Sequence, residues 1–122
     1  MSIDKFHLSD LPKDHVRNVW QPETDDLHMN LLVLRSGESI GKHINQLLDV
    51  VVTCLRGSGT IHIDDESIRV ESGSIVLIPR GSNREIVAGE EGIIYTTVHR
   101  KRGGIMPMVN TKDPEKSGGE RE

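Results

Sequence analysis

The pattern of apolar and polar positions changes at Leu27. Before it, residues 1–26 carry scattered hydrophobes with no strand or helix period, and Pro12 and Pro22 interrupt any long helix. After it, LHMNLLVLRSGES reads as a strand running into a turn at Gly37, and KHIN as a short extended piece. DVVVTCLRGSG is an apolar run rich in β-branched residues, too short for a good helix and stopped by its glycines, with RGSG read as a hairpin turn. TIHID and SIRVE alternate polar and apolar side chains around Asp65 and Glu66, as a hairpin with one wet face does. SIVLIP ends at Pro79, which cannot donate to a strand ladder, and REIVA and GIIYTTVHR complete the set. The pattern predicts about eight or nine short strands and no convincing helix, hence an all-β sandwich or barrel.

Length changes this picture only by limiting it to one core: 122 residues suffice for a single domain. The expected organisation is an N-terminal arm over residues 1–26 lying on the barrel, a barrel over 27–102, and a C-terminal tail over 103–122. Within the tail, GGIMPMV has the apolar content to pack on the body or on a neighbour, whereas NTKDPEKSGGERE has the composition of a disordered end. Phe6, Trp20 and Tyr95 are the only aromatics, so burial must come from Ile, Val and Leu.

Charge removes one class of function. Residues 1–99 carry 9 basic and 15 acidic side chains, and an acidic body with few aromatics argues against nucleic-acid binding, which needs a basic face. The cluster Arg100, Lys101, Arg102 reads as a solvated strand end. Cys54 stands alone, so it forms no intrachain disulfide and reads as a small buried hydrophobe. No apolar stretch has the length of a signal peptide or a bilayer span, and a soluble, cytoplasmic protein with no membrane partner is the expectation.

Two glycine-anchored segments carry the candidate chemistry: GESIGKHINQLLDVVVTCLRG, residues 37–57, and GSIVLIPRGSNREIVA, residues 73–88. They resemble the two signature motifs of the cupin superfamily, small jelly-roll barrels of the double-stranded β-helix type. In the first, Gly37, His43-x-Asn45 and Gly57 stand where the family has Gly, His-x-His and Gly. In the second, Gly73, Pro79 and Gly81 are in register, with Arg84 in the slot of a histidine and Ala88 in that of an asparagine. The resemblance covers residues 27–99 and implies a single-domain cupin barrel.

In that family two histidines of the first motif, an acid, and the histidine of the second converge on one divalent metal. His-x-His serves this because alternate strand residues share a face, and imidazole with carboxylate suits iron, manganese, nickel or zinc. Here His43 is kept, Asn45 offers a neutral amide, and Arg84 a permanent cation that cannot coordinate. Register leaves the acid slot to Asp49 or to Val50. Val50 is favoured, because it places Val50, Val52 and Cys54 on one face and turns Asp49 away. A divalent metal beside Arg84 would also be repelled, by several kcal/mol at a few ångströms even in an effective dielectric constant near 20.

The resemblance therefore leads to a barrel that binds a small, anionic molecule through His43, Asn45 and Arg84 without a tightly held metal. The alternatives are a metal-dependent dioxygenase, isomerase or decarboxylase using His43, Asn45 and Asp49, and a non-catalytic structural or regulatory barrel. Arg84 itself has three readings: an anion receptor, one half of an internal ion pair with Asp49 or Glu85, or a side chain that leaves through the barrel mouth. His99 shares strand parity with Tyr95 and Thr97 and lines the barrel if that face is inward; His28 has the same choice, and His62 is expected on an exposed face. A homodimer is expected, because the valines at 50–52 must be buried on both faces of their strand.

Overall fold

The computed structural model describes residues 3–45 and 48–101, with the backbone alone over residues 42–45. It contains seven strands: β1 (Asn18–Trp20), β2 (Leu27–Leu34), β3 (Ser39–Asn45), β4 (Val50–Ile63), β5 (Glu66–Glu71), β6 (Ile75–Ile78) and β7 (Ser82–Arg100), preceded by a 3-10 turn at Leu8–Asp10. The expected larger number is corrected because two strands run straight through glycines. RGSG does not turn a hairpin: Gly57 and Gly59 lie inside β4, and REIVA and GIIYTTVHR are parts of the single strand β7.

β4 and β7 pair antiparallel along almost their whole length and form the spine. The first half of β4 and the second half of β7 carry β2 and β6 on their flanks, whereas the other halves carry β3 and β5. One apolar cluster joins Val50, Val52, Cys54 and Tyr95 from the first group to Ile61, Val70 and Ile86 from the second. The two halves of the sheet are thus folded face to face into a barrel, as sheets with one apolar face require.

The fold-over occurs where the ladder slips, between Cys54 and Arg56 and again between Gly57 and Gly59. Gly57 and Gly92 have φ of +81° and +82°, a region closed to side chains with a Cβ except at a cost. Across the two slips the inward-facing positions change parity. Buried positions in β4 pass from 50, 52 and 54 to 59 and 61, and in β7 from 82, 86 and 88 to 93, 95 and 99. A bulge does this because side-chain direction has a period of two.

Val50 and Val52 are buried, but Val51 is 37 % exposed. Among the described residues of the single chain, the valine run is covered on one face, and Val51 stands on the other. Residue 18 marks another difference: β1 belongs to the arm, yet it pairs with β2 and extends the sheet, and Phe6 packs on Trp20 with ring centroids 5.8 Å apart.

Cys54 is 1 % exposed, and burial pushes its thiol above the ordinary value. The thiolate is the reactive species, so thiol–disulfide exchange with the native protein at pH 8 should be at least about 100-fold slower than in denaturant. Stopped-flow absorbance with an aromatic disulfide reagent reads this directly; equal rates would mean that β4 opens freely.

Candidate functional site

Between the two sheet halves lies a cavity of about 320 Å³, near the lower end of the roughly 300–1,000 Å³ typical of small-molecule sites. Its apolar wall comes from Leu32 on β2, Val50 and Val52 on β4, and Ile86 on β7. Their inward direction follows from the alternation just described. Onto this wall the sequence places a limited set of polar groups.

One polar group is a ladder across three strands. Asn18 Nδ2 of β1 donates to Asn30 Oδ1 of β2 at 3.1 Å, and Asn30 Nδ2 donates to Thr97 Oγ1 of β7 at 3.2 Å. All three residues line the cavity. Asn18 Oδ1 is enclosed and accepts no hydrogen bond among the described residues. A buried amide oxygen left so costs about 1–3 kcal/mol.

The other polar group is cationic. Arg84, at the start of β7, lines the cavity together with Glu85 and with Arg17 of the arm. Arg17 also lies 4.0 Å from Glu38. Glu38 Oε1 accepts the Arg35 backbone N–H at 2.7 Å, which holds its carboxyl below the ordinary value, with His15, Arg35 and Arg17 adding in the same direction.

The residues expected at the site divide into three groups. Arg84 is where the barrel places it, on the cavity wall, opposite His43 and Ile63 in the ladders. His43 and Asn45 have their backbones in β3, paired with Arg84 and Ser82; their side chains lie outside what is described. Asp49 is exposed, and its Oδ1 accepts the Arg80 backbone N–H at 2.9 Å, while Val50 lines the cavity. Among the described residues, no three His, Cys, Asp or Glu side chains gather to hold a metal ion.

His28 and His99 sit opposite each other on β2 and β7, next in line after Asn30 and Thr97 on the inward parity. Their rings stack at 5.2 Å. His99 Nδ1 donates to Arg100 O at 2.8 Å, and His28 Nδ1 lies 2.9 Å from Glu23 Oε1, whose other oxygen meets Lys101 Nζ at 3.2 Å. The hydrogen bond from His28, then Lys101, holds the exposed Glu23 carboxyl below its ordinary value. His62, expected on an exposed face, is half-buried on the β4–β5 hairpin and bonds Ser67 Oγ.

Sequence reasoning missed Arg17, Asn18 and Asn30 as cavity residues, and reached Tyr95 and Thr97 only as the face that lines the barrel if it is turned inward, which it is. Asn30 carried a signal: it is the polar member of the inward set Asn30, Leu32, Leu34 in an otherwise apolar strand. Arg17 and Asn18 carried none, because nothing in the arm's composition shows that it enters the sheet.

No protein-family model matches the chain, and no curated protein matches it in sequence. Solved structures do match in shape. A conserved protein with a double-stranded β-helix domain from Klebsiella pneumoniae superposes with a TM-score of 0.69 at 16 % identity, over 81 % of this chain and 90 % of that one. A cupin 2 conserved barrel domain protein from Salinispora arenicola gives 0.64 at 18 %, over 86 % and 92 %. A cupin-2 domain protein from Shewanella frigidimarina gives 0.66 at 19 %, over 79 % and 94 %.

Proposed function

The chain has the cupin fold, a double-stranded β-helix barrel, and on that premise we propose that it binds a small carboxylate inside the barrel without needing a resident metal. The observation that carries the proposal is Arg84 on the wall of a cavity where Leu32, Val50, Val52 and Ile86 stand beside a few polar groups. A guanidinium in such a place favours an anion twice over. It supplies a forked pair of donors that matches a carboxylate, and it does so where water competes poorly.

The donors around the cavity point the same way. Described side chains with polar atoms there are guanidinium, amide and hydroxyl groups, with Glu85 as the one carboxylate. Divalent metals of the iron-to-zinc series prefer imidazole, thiolate and carboxylate, so this set suits an anion better than a cation. Val50 in place of an acid removes a further ligand. Arg17 adds a second positive charge, and a ligand bearing a hydroxyl or amino group would supply the donor that Asn18 Oδ1 lacks. We assign His43 and Asn45, on the strand facing Arg84, as further ligand contacts.

Two measurements on protein purified without chelator test this against the metal-dependent enzyme. A thermal-shift series of small carboxylates, from acetate to malate, with inorganic phosphate beside them, should raise Tm for a subset of the acids. At 100 times Kd the gain is about 2.7 kcal/mol, or several degrees. Elemental analysis should find iron, manganese, nickel and zinc well below one per chain; a stoichiometric metal would give the site to the rival.

A further inference from the structure

The two arginines that line the cavity belong to opposite halves of the folded sheet. Arg84 lies in the first part of β7, which carries β3, and the ladders set it between His43 and Ile63. Arg17 belongs to the other half. Its backbone carbonyl accepts the Val33 N–H of β2 at 2.8 Å, one residue before Asn18 opens β1. Arg84 is half-buried in the cavity wall, whereas the Arg17 side chain is 48 % exposed and stands at the mouth. Glu85 touches the same cavity, but it has the opposite parity on β7 from Arg84 and Ile86 and is in register with His62, so its side chain starts toward the other face of the strand.

We infer that Arg17 and Arg84 together select a dicarboxylate, one carboxylate on each guanidinium, with Arg17 as the residue that tells a diacid from a monoacid. The inference rests on the carboxylate reading of this cavity and adds a second charge to the ligand. Two guanidiniums around one small space repel each other, and a monoacid held by Arg84 compensates only one of them. A dianion compensates both, and each end meets a forked donor of matching shape.

Glu38 does not hold Arg17 back. That carboxylate accepts the Arg35 backbone N–H at 2.7 Å and lies 3.4 Å from His15 Nε2 and 3.8 Å from Arg35 Nε, against 4.0 Å to Arg17 Nη2. Arg17 is thus its most distant partner. Exposed ion pairs of this kind contribute little, so the guanidinium turns to a ligand while Glu38 keeps its other contacts.

The fold also bounds the length of the ligand. Sheets packed face to face lie about 10 Å apart, and two arginine side chains take up much of that gap, which leaves roughly two to four methylenes between the carboxyl groups. The wall of Leu32, Val50, Val52 and Ile86 suits those methylenes.

Titration calorimetry with each diacid from succinate to adipate, and with its monomethyl ester, tests the assignment, because the two members of a pair differ by one charge. The native chain should bind the best diacid at least about tenfold more tightly than its ester. Arg17→Gln should bring that diacid to within about twofold of the ester and leave the ester itself unchanged within about twofold. Arg17→Lys keeps the charge without the fork and should fall between the two. Because Arg17 is exposed, raising salt from about 20 to about 200 mM should shrink the diacid's advantage. Equal binding of ester and diacid by the native chain overturns the inference and leaves the carboxylate reading standing, and so does an advantage that survives in Arg17→Gln. Binding of neither ligand overturns both.

Discussion

Gly57→Ala should cost the protein about 3–5 kcal/mol and lower Tm by 10 °C or more, the largest loss expected from any single methyl group in the chain. Two penalties combine. The backbone at 57 has φ of +81°, where a Cβ alone costs about 1–2 kcal/mol. The added Cβ would also fall inside contact distance of the Gly92 carbonyl oxygen and against its carbon at 3.0 Å. Both obstacles are backbone, held by the paired spine strands, so neither can rotate away. Gly92 is confined to a lesser degree, since a Cβ there would meet Leu34 O at 2.7 Å, with the next atom at 3.6 Å. The control is Gly81→Ala, where φ is +85° but nothing lies within 4 Å. It should show the dihedral cost alone, about 1–2 kcal/mol, by urea denaturation with an unchanged slope. Equal losses at both positions would mean that the corner between Gly57 and Gly92 is not closely packed.

The same glycines explain why the fold could be read from the sequence. Gly37, Gly57, Gly73 and Gly81, which mark the ends and turns of both motifs, all have positive φ. A residue required by backbone geometry is identifiable by type alone, whatever surrounds it. Cys54 and the valines at 50 and 52 were legible for a similar reason, because alternation places them on one face and the core accepts any small hydrophobe there.

What failed to show was continuity. A glycine that ends a strand and a glycine that bends one look alike in sequence, so β4 and β7 were read as four pieces. Only the ladder, with its slips at residues 55–59, distinguishes the two. The site was legible only where it used a motif position, at Arg84. Arg17 and Asn18 reach the cavity through β1, and short strands of mixed polarity carry no period to detect. Asn30 and Thr97 depend on register, which brings β2 onto β7, a long-range fact that no local pattern contains.

Arg84→Met should weaken carboxylate binding about 100-fold or more while leaving the barrel folded. Charge-assisted hydrogen bonds to an anion are worth about 1.5–3 kcal/mol, and a forked guanidinium makes two of them, so a loss near 3 kcal/mol follows, two factors of ten in Kd. Methionine fills much of the same volume and lies naturally beside Ile86 and Leu32, so Tm without ligand should move by only a few degrees. Arg84→Lys separates charge from shape. It keeps the cation and loses the planar fork, and about a tenfold loss is expected of it. Raising salt should weaken binding only modestly in the native chain, because Arg84 is half-buried and screening acts chiefly on exposed charges. Titration calorimetry with whichever acid gives the largest thermal shift reads all three outcomes. Native affinity in the methionine variant would remove Arg84 from the site and leave the guanidinium as an internal ion-pair partner.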